Sequence, residues 1–214
     1  IDGYGLPRVQ KEALKAAACR ASGFTGKKSA DYADILDAAI LSASKEFRAL
    51  GRTIASYNTT VGRLLGLFGK QHGITLTGSW ELGTNGKAIF ALPEGNEVWA
   101  MLTAMDAGDE VVFLPQDRDM APDVRTSKGY AEIKTPRSIR KVADRLKHAS
   151  EQLDAYGSPD GDVYLSLLRF KSEEQAAIDV AQRFVDDGTI KSIHVIHGDG
   201  KVETIKRMDA GLGS

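Results

Sequence analysis

Two carboxylates and one lysine in the second half of the chain have types and spacing suited to phosphate chemistry. Asp123 follows a proline, and Glu132 and Lys134 are two residues apart. Side chains two apart on a strand share a face, so Glu132 and Lys134 should lie together while Ile133 enters the core. Carboxylates bind Mg²⁺, and a nearby ammonium can orient or deprotonate water and neutralise charge on phosphorus. The pattern predicts a metal site at Asp123 and Glu132, with Lys134 as a catalytic group.

A third metal ligand can come from the helix predicted ahead of these strands. Glu97 is the first candidate and Glu94 a weaker one. An ordinary structural interpretation stays open, because carboxylates and lysines also alternate on exposed strands as cross-strand ion pairs. The charged residues alone therefore do not decide between a catalytic site and a surface charge cluster.

Positive charge is concentrated in one stretch of the chain. The formal net charge of −1 at pH 7 gives no global argument for a nucleic-acid partner. Between residues 125 and 148, however, the basic residues Arg125, Lys128, Lys134, Arg137, Arg140, Lys141, Arg145, Lys147 and His148 stand against only Glu132 and Asp144. If this stretch binds nucleic acid, its contacts go mainly to phosphates. A solvated helix with internal ion pairs is the alternative.

The elements that must position these residues run from Glu94 to Ile205. Hydrophobic periodicity predicts helix, strand, strand, strand, helix, strand, helix and a closing hairpin. The expected bounds are Glu94–Ala107, Glu110–Leu114, Asp123–Thr126, Tyr130–Thr135, Ser138–Leu153, Val163–Phe170, Ser172–Asp187, Ser192–His197 and Lys201–Ile205. This order gives a mixed sheet with helices packed against it, so the predicted fold class is α+β.

Residues 1–72 have the pattern of a helical region. Apolar residues at alternating four- and three-residue steps predict a long helix: Leu36, Ile40, Ala43, Phe47, Leu50, Ile54, Tyr57, Val61, Leu64 and Phe68. Gly51 weakens its middle, so a break can occur there. A shorter helix from Pro7 to Arg20 can fold back along it. We interpret the region as a helical hairpin or as a connecting or delivery module.

Residues 73–93 form a predicted β-like connector to the α/β domain of residues 94–214. Within the connector, Ile74–Leu76 and Ala88–Ala91 are expected to pair as a hairpin around a turn signal. The single Cys19 excludes an intrachain disulfide and a cysteine zinc cluster. No apolar run is long enough to span a bilayer.

The site residues resemble the signature of the PD-(D/E)xK nuclease superfamily: Pro122-Asp123, eight residues, then Glu132-Ile133-Lys134. The superfamily's core order of helix, three strands, helix and strand matches the elements predicted from Glu94 to Phe170. Some branches carry Gln-x-x-x-Tyr on the following helix, matched here by Gln152 and Tyr156. The resemblance implies that Asp123 and Glu132 hold the metal, Lys134 is catalytic, and Gln152 and Tyr156 support the site or substrate.

A second resemblance concerns the same stretch. Glu97-x-x-Ala100, the strand Glu110–Leu114 and the run Gly129–Pro136, followed by a basic helix, are similar to the C-terminal nuclease domains of bacterial polymorphic toxins related to contact-dependent inhibition. These include tRNA-cleaving domains of the barnase/EndoU/colicin/RelE type, which usually need no metal because the RNA 2′-hydroxyl attacks. The implied substrate-contacting set is Lys134, Thr135, Arg137 and Arg140, and the basic helix adds Lys141 and Arg145. No histidine can be matched to a catalytic role, because His148 is on the helix and His194 and His197 are near the closing hairpin.

Both resemblances predict an enzyme that cleaves phosphodiester bonds of nucleic acid, and they differ on whether it needs Mg²⁺ and on whether the substrate is RNA or DNA. The toxin resemblance also implies a cognate immunity protein, delivery as part of a larger protein, and action in the cytoplasm of a target bacterium. A hypothesis from another class is a non-enzymatic α/β binding module, such as an immunity or adaptor protein, whose Asp-Glu-Lys cluster forms interface salt bridges.

Overall fold

A mixed sheet of seven strands lies at the centre of the fold, with helices on both faces. The computed structural model of the protein describes residues 30–116, 121–170 and 174–207. The helices are α1 (Ala30–Ala49), α2 (Ile54–Tyr57), α3 (Arg63–Gln71), α4 (Gly95–Ala104), α5 (Val142–Ala155) and α6 (Glu174–Asp186). The strands are β1 (Thr75–Gly78), β2 (Trp80–Leu82), β3 (Ala88–Phe90), β4 (Glu110–Phe113), β5 (Val124–Thr126), β6 (Gly129–Lys134), β7 (Asp162–Ser166), β8 (Ser192–Ile196) and β9 (Val202–Lys206).

The strand order of the large sheet is β1-β4-β5-β6-β7-β8-β9. Strands β4, β5 and β6 form an antiparallel meander, and β7 and β8 continue parallel to β6. Strand β9 returns antiparallel to β8 as the predicted closing hairpin. Helices against a mixed sheet confirm the α+β class. From α4 to β7 the order is helix, three strands, helix and strand, as predicted.

The predicted long helix is divided at Gly51. Gly51 and Arg52 have φ angles of 87° and 51°, so the chain leaves the helix there in the left-handed region that glycine adopts most readily. Most of the predicted apolar stripe is buried on either side of the break. Leu50 and Ile54, which flank the break, are exposed. The break thus separates α1 from α2 while keeping the apolar faces of both helical segments on the core.

The hairpin predicted between Ile74–Leu76 and Ala88–Ala91 is wrong in its pairing. Strand β1 instead pairs in parallel with β4, placing Leu76 opposite Val111. The two-stranded hairpin in this part of the chain joins β2 to β3. Leu76 is buried in the large sheet, and an isolated hairpin would bury less apolar surface than this pairing does.

Helices α1 and α4 cross in close contact at Gly95. A Cβ atom there would collide with the carbonyl oxygen of Ala33 and lie 2.6 Å from the backbone nitrogen of Asp37. The Gly95 N–H donates a hydrogen bond to the Asp37 carboxylate. One hydrophobic cluster therefore joins α1, α3 and α4 to the sheet, through residues that include Leu36, Leu65, Trp99, Ile133 and Tyr164. The division into 1–72, 73–93 and 94–214 stays a prediction.

Helices α5 and α6 cover the other face of the sheet. Their apolar side chains pack on Leu165 and Val195. In the parallel register, Glu132 lies opposite Val163 and Lys134 opposite Leu165. Because side chains alternate along a strand, Glu132 and Lys134 point toward α5 while Ile133 joins the opposite cluster.

The predicted helix from Pro7 to Arg20, with Cys19, lies outside the described residues. Within the described ranges, no helix combines the length and the apolar character that crossing a membrane requires.

Candidate active site

The ammonium of Lys134 is held by three polar side chains. It donates hydrogen bonds to Oε2 of Glu132 and, at 2.8 Å, to Oε1 of Gln152 on α5. Oδ2 of Asp123 lies 3.8 Å from Nζ of Lys134. Lys134 is 7% exposed and Gln152 5% exposed, so the ammonium is largely shielded from solvent. The fold therefore brings all four predicted catalytic residues together.

Asp123 is fixed by the backbone of the neighbouring strand. The Ile133 N–H donates a 2.7 Å hydrogen bond to Oδ2 of Asp123. Strand β5 begins at the next residue and pairs with β6, with Val124 opposite Ala131. The predicted hairpin thus places the Asp123 carboxylate directly beside the strand that carries Glu132 and Lys134.

Glu132 is fully buried behind Lys134. Its Oε1 atom has no hydrogen-bond partner among the described residues. Burial, together with the charge of Asp123, raises the pKa of Glu132 to about 8, while Lys134 opposes the shift. A buried carboxylate beside a second carboxylate binds its proton more tightly, because ionisation would place two negative charges close together. Glu132 does not line the cavity described below.

Glu97 lies at the start of α4 and faces the same site. Its Oε2 atom accepts a 2.9 Å hydrogen bond from the Glu94 N–H, closing a capping box at the helix N-terminus. Burial raises the pKa of Glu97 to about 8, and the charge of Asp123 contributes in the same direction. Asp123 is therefore electrostatically coupled to both Glu97 and Glu132.

A cavity of about 520 Å³ opens onto these groups. Its walls include Asp123, Lys134, Gln152, Glu97, Thr135, Arg137, Lys141 and Arg145, all predicted site residues, together with Glu94, Asn96, Ile133, Pro136 and His148. One side of the cavity is acidic and the other is basic. This is the arrangement needed for a phosphate held by cations next to carboxylates.

Two predicted substrate-binding residues lie elsewhere. Arg140 is exposed in the short 3₁₀ turn ahead of α5 and is not part of the cavity wall. Tyr156 packs edge-on against Tyr130, with ring centroids 4.9 Å apart, and is also outside the cavity. Of the Gln-x-x-x-Tyr pair, the structure therefore brings only Gln152 to the candidate site.

His148 is a cavity residue that sequence reasoning did not assign to the site. Lys141, Arg145, His148 and Gln152 follow one another at i, i+4, i+7 and i+11, which places them on one helical face. All four line the cavity. This spacing is the signal that could have identified His148. His194 and His197 lie on and just after β8, where they contact Thr204 and Glu174, respectively.

The acidic wall has the donor chemistry of a Mg²⁺ site. Proteins commonly bind Mg²⁺ through one or two carboxylates, with water and phosphate oxygens completing its shell. Asp123 and Glu97 both line the cavity and meet this need, whereas Glu132 is buried outside the cavity lining. No group of three or more His, Cys, Asp or Glu side chains arranged to hold a metal is found within residues 30–116, 121–170 and 174–207. The cavity therefore fits a Mg²⁺ site with two carboxylate ligands, Asp123 and Glu97.

Comparisons with known proteins give a distant likeness in fold. No protein-family model matches the chain, and no curated protein matches it. Among solved structures, a CdiA-CT/CdiI toxin and immunity complex from Burkholderia pseudomallei is similar, with a TM-score of 0.38 and 16% sequence identity over 51% of this chain and 81% of that one. A likeness of this extent carries no functional argument, so the case for function rests on the residues of the cavity.

Proposed function

We propose that this protein is a nuclease that hydrolyses phosphodiester bonds in the cavity between α4, β6 and α5. The observation that carries the proposal is the environment of Lys134, whose ammonium contacts Glu132 and Gln152 and lies 3.8 Å from Asp123. A buried lysine held at the edge of a cavity, with carboxylates on one side and cations on the other, is suited to a reaction that creates negative charge on phosphorus.

The basic wall supports a nucleic-acid substrate. Arg137, Lys141 and Arg145 line the cavity together with Thr135, and each can contact a phosphate oxygen. Such contacts hold a strand by its backbone and make binding depend on salt rather than on base sequence. The substrate class is accordingly a polyanionic strand, RNA or DNA, that crosses the cavity beside Lys134.

Each residue of the cavity has a separate role in the proposed hydrolysis. Asp123 and Glu97 would hold Mg²⁺, which supplies a Lewis acid for a phosphate oxygen and a bound water of lowered pKa. Lys134 neutralises charge that develops on the phosphate or orients the attacking water. Gln152 and Glu132 fix the direction of the ammonium, and the Ile133 N–H fixes Asp123. Arg137 and Arg145 hold the flanking phosphates.

Metal-independent cleavage of RNA is the second candidate, and His148 favours it. An imidazole on the cavity wall can take the proton of a 2′-hydroxyl, and Glu97, whose pKa is raised to about 8 by burial, can remain protonated and donate a proton to the leaving oxygen. In this case Lys134 and Arg145 stabilise the phosphate without a metal. This route would be restricted to RNA, because it requires the 2′-hydroxyl.

The biological role we propose is that of an antibacterial toxin domain, delivered within a larger protein into the cytoplasm of a target bacterium and neutralised by a cognate immunity protein. This part of the proposal rests on the resemblance of residues 97–136 to toxin nuclease domains. It predicts that expression of the protein arrests bacterial growth and that Lys134→Gln removes the arrest.

Incubation of the purified protein with total RNA and with plasmid DNA, each with Mg²⁺ or with excess chelator, distinguishes the candidates. Cleavage that requires Mg²⁺ supports the carboxylate site, and a His148→Gln variant should then retain most activity. Chelator-resistant cleavage of RNA that is lost in His148→Gln supports the second route. If RNA and DNA both stay intact under all conditions, the nuclease proposal is wrong and the non-enzymatic binding module is the remaining hypothesis.

A further inference from the structure

A second cavity lies at the opposite end of the sheet from the candidate active site. Its volume is about 500 Å³, and it is lined by Lys128, Asp160, Asp162, Gly188, Ile190, Lys191, Ser192, Lys206 and Arg207. It shares no lining residue with the first cavity. It opens where β7 and β8 begin and β9 ends.

Strand register places its polar groups in one row. Ser192 lies directly opposite Lys206 in the antiparallel pair of β8 and β9. Asp162 precedes Val163, which pairs with Ile193, so Asp162 is next to Ser192 across β7 and β8. The Arg207 guanidinium lies against Gly188, where a Cβ atom would be 3.0 Å from one of its nitrogens.

The cations of this cavity exceed its available carboxylates. Asp160 pairs with Lys191 at 3.4 Å, and Asp162 faces His194 at 3.4 Å. Burial alone would raise the pKa of Asp162, but the hydrogen bond and charge of His194 lower it below its ordinary value. This carboxylate therefore stays ionised and paired with His194. Lys206 and Arg207 make no salt bridge with any carboxylate in the described part of the chain, and Lys128 makes none either, although its charge also lowers the pKa of Asp162.

A buried hydroxyl faces the same space. Ser192 is 5% exposed, and among the described residues its Oγ has no polar neighbour but the Asp162 carboxyl, whose pKa it lowers. Ser192 is not an activated nucleophile, because Nδ1 of His194 contacts Thr204 at 3.0 Å and Nε2 faces Asp162. Because a hydroxyl rotates about its C–O bond, this O–H can turn from Asp162 toward a bound anion and donate to it.

We propose that this cavity binds a phosphate group, with Lys206, Arg207 and Lys128 as its charged contacts and the Ser192 hydroxyl as a buried donor. Arginine and lysine suit phosphate through charge-assisted hydrogen bonds. The volume exceeds that of one phosphate and leaves room for the remainder of a larger phosphorylated molecule. The proposal does not depend on nuclease activity, since it uses none of the residues around Lys134.

Calorimetric titration with inorganic phosphate in chelator tests the proposal. We expect the wild-type protein to bind phosphate and Lys206→Gln/Arg207→Gln to bind it at least about tenfold more weakly. Ser192→Ala, which removes only the hydroxyl, should show a smaller loss. Lys201→Gln is the matched control, because Lys201 is exposed on the same closing hairpin and pairs with Asp199. It should bind phosphate as the wild type does.

The same titration with a short single-stranded oligonucleotide identifies the source of the phosphate. If the double variant weakens both titrations, the phosphate belongs to a nucleic-acid strand. If it weakens only the inorganic phosphate titration, the ligand is a small phosphorylated molecule. Absence of phosphate binding to the wild type, or equal binding by the folded double variant, would overturn the proposal. Failure of Lys134→Gln to abolish cleavage would contradict the assignment of the first cavity as the nuclease site and leave this proposal unaffected.

Discussion

Nζ of Lys134 on β6 and Oε1 of Gln152 on α5 are joined by a 2.8 Å hydrogen bond. Nε2 of the same amide lies 3.4 Å from the carbonyl oxygen of Ala121, which it can reach as a donor. Gln152 thus connects the helix, the strand and the segment that leads to Asp123. Because the amide is neutral, it can orient the ammonium without cancelling its charge. Its role in our account is that of a positioning residue.

Gln152→Ala should lower kcat about tenfold or more and leave KM nearly unchanged, because the ammonium would lose its orientation while the basic wall stays intact. Steady-state cleavage of the best substrate provides the measurement. Gln182→Ala is the matched control, since Gln182 is exposed on α6 and donates a hydrogen bond to Asp186, away from the cavity. A higher KM with an unchanged kcat would indicate that Gln152 binds substrate instead of positioning Lys134.

Arg145→Gln should weaken nucleic-acid binding uniformly across sequences and reduce the slope of log affinity against log salt by about one. The reason is that Arg145 lines the cavity and would contact a phosphate. Lys147→Gln removes a cation from the same helix, but Lys147 lies outside the cavity and 3.8 Å from Glu151. Fluorescence anisotropy across a salt series compares the two variants. Identical slopes for both would contradict a phosphate contact at Arg145.

Glu97→Gln should change how stability depends on pH. Burial and Asp123 raise the pKa of Glu97 from its ordinary value of 4.5 to about 8. Between these values the folded protein holds more protons than the unfolded chain, so the wild type loses stability as pH rises through this window. Glutamine does not titrate and can still accept the Glu94 N–H. The stability of the variant relative to wild type should therefore increase by at least about 1 kcal/mol from pH 5 to pH 8.5.

Urea unfolding in chelator at both pH values measures this difference. Glu110→Gln is the control, because Glu110 is exposed on β4, and its effect should be the same at both pH values. A constant difference between Glu97→Gln and wild type would contradict the raised pKa.

Gly95→Ala should destabilise the fold by about 2 kcal/mol or more, because an added methyl group would strike the backbone of α1 at Ala33 and Asp37 and separate the two helices. Gly66→Ala is the contrasting change. Gly66 is exposed within α3, and a Cβ atom there meets nothing within 4 Å, so the variant should be slightly more stable. Equal melting temperatures for the two variants would show that α1 and α4 do not cross as described.

The sequence was most informative where structure is local. Alternation along β6 correctly placed Glu132 and Lys134 on one face and Ile133 on the other. The elements from α4 to β9 were predicted in the right order. The break at Gly51 was anticipated as a weakness, but the φ angles that produce it depend on how α1 and the following helices both pack on the sheet.

The pairing of distant strands and the burial of individual side chains could not be predicted from the sequence. The parallel partner of β1 is β4, which follows it by more than thirty residues, and no local pattern encodes such a pairing. The burial of Glu132 behind Lys134 also follows from the tertiary packing of α5. Arg140 lies outside the i, i+4, i+7 and i+11 row that lines the cavity, so a list of basic residues without their helical spacing could not separate the exposed Arg140 from the cavity residue His148.

The most direct test of the central claim is single-turnover cleavage of RNA and of DNA by Lys134→Gln, with Lys147→Gln as the matched lysine control and melting temperatures to confirm folding. We expect Lys134→Gln to lose at least about 100-fold in rate while Lys147→Gln retains wild-type activity. Asp123→Asn should show a comparable loss. A folded Lys134→Gln protein that cleaves nucleic acid at the wild-type rate would contradict the assignment of this cavity as the active site.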